Sequence, residues 1–88
     1  MLSRRQLLVV VKKHAGAVRG CKRLQPGVSG VIGVALEIAT TGHVIMASVV
    51  TGKFKDTKVG DCVAKLVRTL RFPRFSGKPM RITVPFAL

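Results

Sequence analysis

The sequence predicts an α+β fold of two layers, in which two helices pack on one face of a three-stranded antiparallel sheet in the order α-β-β-α-β. Two stretches of the chain repeat apolar residues at helical spacing, and two others alternate as strands do. A glycine turn joins the first alternating stretch to a returning strand, as in a hairpin. The 88 residues therefore predict one domain, residues 1–88, near the lower size limit for a single hydrophobic core.

The first helix begins at a capping box, since Ser3 and Gln6 have the required spacing. Apolar and boundary positions then recur at alternating steps of four and three residues, which places them on one helical face. These positions are Leu7, Val11, His14, Val18 and Cys21. Pro26-Gly27 ends the helical region, because proline cannot continue a helix.

The next two elements are strands that form a hairpin. The residues of the first strand divide into two parities, an alternation typical of a half-buried strand. One parity is Gly30, Ile32, Val34, Leu36 and Ile38, and the other is Val31, Gly33, Ala35, Glu37 and Ala39. Thr41-Gly42 supplies the turn, because glycine adopts positive φ without steric cost. Residues 43–50 return as the second strand.

The second helix has the clearest amphipathic pattern in the chain. Its apolar positions fall at helical spacing, so that they form one continuous stripe. The stripe consists of Val59, Cys62, Val63, Leu66, Val67 and Leu70. Residues 53–58 are expected to form a basic, polar connector. Asp56 is the expected N-cap of the helix, and Phe72-Pro73 ends it.

The last strand is predicted at the edge of the sheet and is the candidate binding site. Its even-numbered residues are apolar, whereas Pro85 lies on the other parity. Proline cannot donate to a β-ladder and belongs on an edge strand, and an open edge can take an extended peptide by β-augmentation. The predicted partner-binding residues are Met80, Arg81, Ile82, Thr83, Val84, Pro85, Phe86, Ala87 and Leu88. The alternative is an edge that Pro85 and Arg81 only protect.

Cys21 and Cys62 are the only cysteines of the sequence, and each lies on the apolar stripe of a helix. Because both helices cover the same sheet face, the two side chains can meet. A disulfide would close a loop of about 40 residues, add about 4 kcal/mol to the stability and indicate an oxidising compartment. The pattern favours this bond, and two buried free thiols are the alternative.

The sequence predicts no catalytic site, metal site, cofactor or small-molecule substrate. Glu37, Asp56 and Asp61 are its only acidic side chains, and their positions indicate no acid–base pair. The cysteines together with the two histidines match no zinc-binding spacing. The sequence is therefore typical of a binding domain rather than an enzyme.

The charge balance is extreme, with 16 Lys and Arg against 3 acidic residues and a net charge of +13. Such a surface attracts nucleic acid, an anionic membrane or cell-wall polymer, or an acidic protein. Nucleic acid is disfavoured, because the phenylalanines form no aromatic pair on adjacent predicted strands. The GxxG pattern of residues 27–30 also lies between a helix and a strand. Nucleic acid and anionic membrane or cell-wall polymer stay as alternatives to a protein partner.

A series of short motifs follows one another along the chain. They are Val10-Val11 with His14, Val18 and Cys21; Pro26, Gly27, Ser29 and Gly30; Gly42-His43-Val44 with Ala47 and Val49; Cys62-Val63 with Val67; Leu70-Arg71-Phe72-Pro73; Pro79; and Pro85-Phe86-Ala87-Leu88. In this order and spacing the chain resembles the TonB C-terminal domain. It more closely resembles the AgmX/PglI variant of that domain, which occurs in gliding-motility and other envelope proteins.

The resemblance implies the two-layer fold of TonB and TolA C-terminal domains and a non-catalytic periplasmic module of a longer protein anchored in the inner membrane. In TonB the last strand receives an extended segment of an outer-membrane receptor, a role that would fall here on residues 80–88. The expected function is to link an inner-membrane assembly to an outer-membrane or periplasmic partner, in a gliding-motility or energy-transduction machine. The membrane span is expected outside these residues, since no apolar run approaches the roughly 20 residues of a span.

Overall fold

The computed structural model describes residues 2–25, 27 and 29–88, and its elements follow the predicted order. The helices are α1 (Arg4–Gly20) and α2 (Lys58–Arg68), and the strands are β1 (Val31–Ile38), β2 (Val44–Val49) and β3 (Met80–Ala87). Two short 3-10 helices, Cys21–Leu24 and Gly52–Phe54, follow α1 and precede α2. The predicted helix break at Pro26 and the Val28 position of the GxxG pattern lie outside the described residues.

The sheet is antiparallel throughout, with β1 in the centre and the strand order β2-β1-β3. The even-numbered residues of β1 point into the core, where Ile32, Val34 and Ile38 are 0% exposed. Above them α2 packs over β2, and α1 packs over β3. The predicted α+β fold of two helices on a three-stranded antiparallel sheet is confirmed.

The first helix begins where the capping box predicts. The Gln6 backbone N–H donates to Ser3 Oγ over 3.2 Å, and the Ser3 N–H donates to Gln6 Oε1 over 2.9 Å. Val11 and Val18 of the predicted stripe are buried. His14 is half-buried, and its Nδ1 lies 2.9 Å from the Val10 carbonyl oxygen of the same helix. The stripe therefore packs α1 onto the sheet.

The N-cap of α2 differs from the prediction, since it is Thr57 and not Asp56. The Thr57 hydroxyl accepts from the Gly60 N–H over 2.9 Å and donates to the Phe54 carbonyl over 2.7 Å. The cause is the preceding 3-10 helix, in which Phe54 is 2% exposed rather than part of a polar connector. Burying that ring fixes the path of the chain, and Asp56 is left in the left-handed region with φ 57°.

The segment after α2 is tied to the β1–β2 turn. Gly42 has φ +94° at this turn, and its carbonyl accepts from the Phe72 N–H over 2.9 Å. The Thr40 carbonyl accepts from the Phe75 N–H over 3.0 Å, and His43 forms an isolated antiparallel bridge with Arg71. This segment therefore packs beside the β1–β2 turn, just before β2 begins.

Candidate functional site

Strand β3 lies at one edge of the sheet, as Pro85 predicts, and β1 is its neighbour on the inner side. The register pairs Ile32 with Phe86, Val34 with Val84 and Glu37 with Arg81. Leu88 continues this register, because its N–H donates to the Gly30 carbonyl over 2.9 Å. The outer side of β3 is therefore the place where an added strand would pair.

The direction of the β3 backbone groups follows from the register. In an antiparallel pair, residues alternate between those that exchange hydrogen bonds with the partner strand and those whose backbone groups point away. Leu88 bonds to β1, so Ile82, Val84 and Phe86 do the same. The intervening residues point their backbone groups outward, and they are Arg81, Thr83, Pro85 and Ala87.

This alternation explains how β3 accommodates a proline. The missing N–H of Pro85 lies on the outer side, so no hydrogen bond to β1 is lost. The outward set offers the N–H groups of Arg81, Thr83 and Ala87 and the carbonyls of all four residues. A strand that pairs here could donate to all four carbonyls and accept from three N–H groups. Only the donor at Pro85 is missing.

The predicted site residues divide into two kinds. Met80, Val84 and Phe86 are buried, and Ile82 and Leu88 are half-buried against the same core. These five residues hold the strand in place. Arg81, Thr83, Pro85 and Ala87 have exposed side chains, and the same residues carry the outward backbone groups. The sequence contains a signal for this division. Pro85 lacks an N–H, so it marks the set of alternate residues whose backbone groups do not bond to β1.

The opposite edge of the sheet is more occupied. Besides the segment at Phe72 and Phe75, the Arg68 guanidinium donates to the Ala47 carbonyl over 3.5 Å, on the side of β2 that faces away from β1. In the part of the chain that the structure describes, no comparable bond reaches the outward groups of Arg81, Thr83 or Ala87. Among the described residues the outward groups of β3 thus take part in no such bond, which makes this edge the candidate site for a partner strand.

One ion pair lies beside the open edge. Arg81 Nε is 2.6 Å from Glu37 Oε1, and the two residues are directly opposite in the β1–β3 register. The Arg81 side chain is 82% exposed, so the pair adds no more than about 1 kcal/mol to the stability. Its effect is local: it holds the arginine over the exposed sheet face and partly neutralises it.

The predicted disulfide between Cys21 and Cys62 is present, with a Cα–Cα distance of 5.8 Å. Cys21 is 3% exposed, whereas Cys62 is half-buried. The bond joins the end of α1 to the middle of α2, in the helical layer and apart from the β3 edge. Of the two arrangements that the sequence left open, the structure thus has the cross-linked one.

The polar side chains that bear on metal binding or catalysis are dispersed. Among residues 2–25, 27 and 29–88, no group of three or more His, Cys, Asp and Glu is placed to hold a metal ion. His43 is exposed at the hairpin, with its Nδ1 3.0 Å from Thr41 Oγ1. Glu37 is engaged by Arg81.

No family model, curated protein or solved structure matches this chain. Across the described residues, no helix has both the length and the apolar character needed to cross a membrane. The functional proposal therefore depends on the geometry of β3 and on the motifs of the sequence.

Proposed function

We propose that this chain is a non-catalytic protein-binding module that takes an extended segment of a partner as a fourth strand on β3. The supporting observation is the row of outward backbone groups at Arg81, Thr83 and Ala87, to which no described residue forms a hydrogen bond. Main-chain hydrogen bonds supply affinity in this mode of recognition, and alternate side chains supply specificity. Each bond contributes about 0.5–1.5 kcal/mol net, so a few of them support a reversible complex.

The proposed location is the periplasm, where the module would link an inner-membrane assembly to an outer-membrane or periplasmic partner. The motif resemblance to TonB and AgmX/PglI domains supports this proposal, and so does the Cys21–Cys62 disulfide, because structural disulfides form in oxidising compartments. Within that setting the module would serve an energy-transduction or gliding-motility machine. Strand pairing suits such a role, because its backbone bonds tolerate many partner sequences.

Replacing Thr83 by proline tests the mode of binding. The Thr83 N–H points away from β1, so proline removes an outward donor without removing a bond of the sheet. We expect the affinity for an extended peptide to fall by about ten-fold or more, while the thermal midpoint changes little. The probes are peptides selected from a displayed random library on the wild-type domain, and the measurement is calorimetric titration.

Thr83→Val is the matched control, because valine keeps the N–H and the β-branched shape but loses the hydroxyl. We expect this variant to bind the selected peptides as the wild type does. Amide hydrogen exchange gives a second readout, since bound peptide should slow exchange at residues 81, 83 and 87 and leave residues 82, 84 and 86 as they were. A folded Thr83→Pro variant with unchanged affinity would contradict strand addition at this edge.

Binding to a polyanion is the alternative, and the distribution of charge supports it. Fifteen of the 16 Lys and Arg side chains are exposed, and Lys22 is half-buried. We expect only weak, salt-sensitive binding to a generic DNA duplex or single strand, because the affinity of such contacts falls steeply as counterions are added. A titration across a salt series measures this. Sub-micromolar affinity at physiological salt would favour nucleic acid over the protein partner, and a parallel titration with anionic vesicles tests the membrane.

A further inference from the structure

A groove of about 1040 Å³ lies in the helical layer, between α2 and the end of α1. One wall is the solvent-facing side of α2 from Lys58 to Thr69, a length of about 16 Å at the helical rise per residue. The other wall is formed by the last turn of α1 and the 3-10 helix Cys21–Leu24. We call it the α1–α2 groove.

The floor of the α1–α2 groove is apolar and is lined partly by small residues. Ala17 and Gly20 of α1 lie on one side, and Leu24 and Leu66 line it from the two walls. The Leu24 side chain is 52% exposed. It therefore presents a large apolar surface to solvent beside the groove. The Cys21–Cys62 disulfide also lines the groove and fixes its walls relative to each other.

The rim of the groove is positively charged. Arg23, Lys58 and Lys65 line it together with a single carboxylate, Asp61. Arg23 is fixed by a bond from its Nε to the Gly20 carbonyl over 3.1 Å. Within the described residues, the only ion pair is the one between Arg81 and Glu37. Asp61 and Lys65, four residues apart on α2, are therefore not within ion-pair distance of each other.

The openness and length of the groove favour a protein segment over a small ligand. Small-molecule sites cover most of their ligand, whereas this groove is open to solvent. Three turns of an α-helix span about 16 Å. A helix laid along α2 therefore matches the length of the α2 wall.

We infer that the α1–α2 groove is a docking site for an amphipathic, acidic helix of a partner protein. The apolar stripe of the partner helix would cover Leu24, Leu66 and the disulfide, as in other helix-in-groove complexes. Lys58 and Lys65 are seven residues apart, or about 10 Å along α2. Two acidic residues seven positions apart on the partner helix would match them, and the small residues at Ala17 and Gly20 permit close approach.

The groove and the β3 edge lie on different sides of the molecule, because the groove is in the helical layer and the edge is at the side of the sheet. The two sites can therefore be occupied together. A helix can dock in the groove whether or not a strand adds to β3.

The test uses the oxidised domain and a displayed library of a monomeric helical scaffold with one randomised face. We expect the enriched helices to carry acidic residues at positions i and i+7 beside an apolar stripe. Lys58→Glu with Lys65→Glu should weaken their binding by about ten-fold or more, and Leu24→Asp should weaken it as well. Lys55→Glu with Lys78→Glu changes the net charge equally at exposed positions outside the groove and should change the affinity less than about two-fold.

Charge exchange makes the test specific. An enriched helix with lysine in place of its two acidic residues should regain affinity for the Lys58→Glu, Lys65→Glu variant and lose affinity for the wild type. Thr83→Pro should leave helix binding unchanged, which separates this site from the β3 edge. The inference is overturned if no helix is enriched, if the groove substitutions leave affinity unaltered, or if the charge exchange gives no recovery.

Discussion

Reducing the Cys21–Cys62 disulfide is expected to lower the free energy of unfolding by about 4 kcal/mol, according to the chain-entropy relation for a loop of this length. The two cysteines are 41 residues apart in sequence, so the bond removes many extended conformations from the unfolded chain. Native domains are stable by about 5–15 kcal/mol, and one of 88 residues lies towards the low end. The cross-link is thus expected to supply a large share of the total stability.

The comparison is made by urea unfolding of the oxidised and the reduced wild-type protein. Both forms keep the same side chains in the core, so the difference reports the cross-link and not a cavity, as a Cys→Ala change would. Thiol counting under denaturing, non-reducing conditions establishes the starting state, and we expect no reactive thiol in material matured in the periplasm. A difference below about 1 kcal/mol would contradict the entropic account.

Gly42→Ala is expected to destabilise the domain by about 3 kcal/mol or more, since two separate costs add at this turn. The residue has φ +94°, a conformation that costs an L-residue about 1–2 kcal/mol. A Cβ at this position would also overlap the Phe72 carbonyl oxygen, and relieving such an overlap by backbone movement costs about 1–3 kcal/mol. The movement would strain the bond from the Phe72 N–H to the Gly42 carbonyl.

Gly77→Ala is the matched control for this experiment. Gly77 has φ +101°, but a Cβ there meets no atom within 4 Å. Its substitution should therefore carry the conformational cost alone, about 1–2 kcal/mol. Chemical denaturation of both variants and the wild type gives the two losses in the free energy of unfolding. Equal losses would show that the close approach of the Phe72 carbonyl to Gly42 does not limit the residue at this turn.

Much of the fold was predictable because it depends on local periodicity. The stripe that contains Val11 and Val18 and the stripe that contains Val63 and Val67 each lie on one helical face in any packing. The alternation in residues 32–38 likewise assigns one strand face to the core. The capping box at Ser3 was predictable for the same reason, since its partner lies within one helical turn.

Two local predictions were wrong because a distant contact decided the outcome. The polar composition around Phe54 suggests a solvated connector, but the ring is buried in the core. That burial places Thr57, not Asp56, at the start of α2. Both residues are good N-caps by type, so their side chains alone could not discriminate between them.

The sequence by itself predicted the five elements, the buried parity of the last strand and the edge position of this strand, which contains Pro85, and it favoured the pairing of the two cysteines. These follow from spacing along the chain and from the missing N–H of proline. The tertiary structure alone decided that Arg68 bonds to the outer side of β2 and that the segment at Phe72 and Phe75 packs beside the β1–β2 turn. It alone formed the α1–α2 groove. Such features depend on side chains far apart in sequence that meet only after the helices have packed on the sheet.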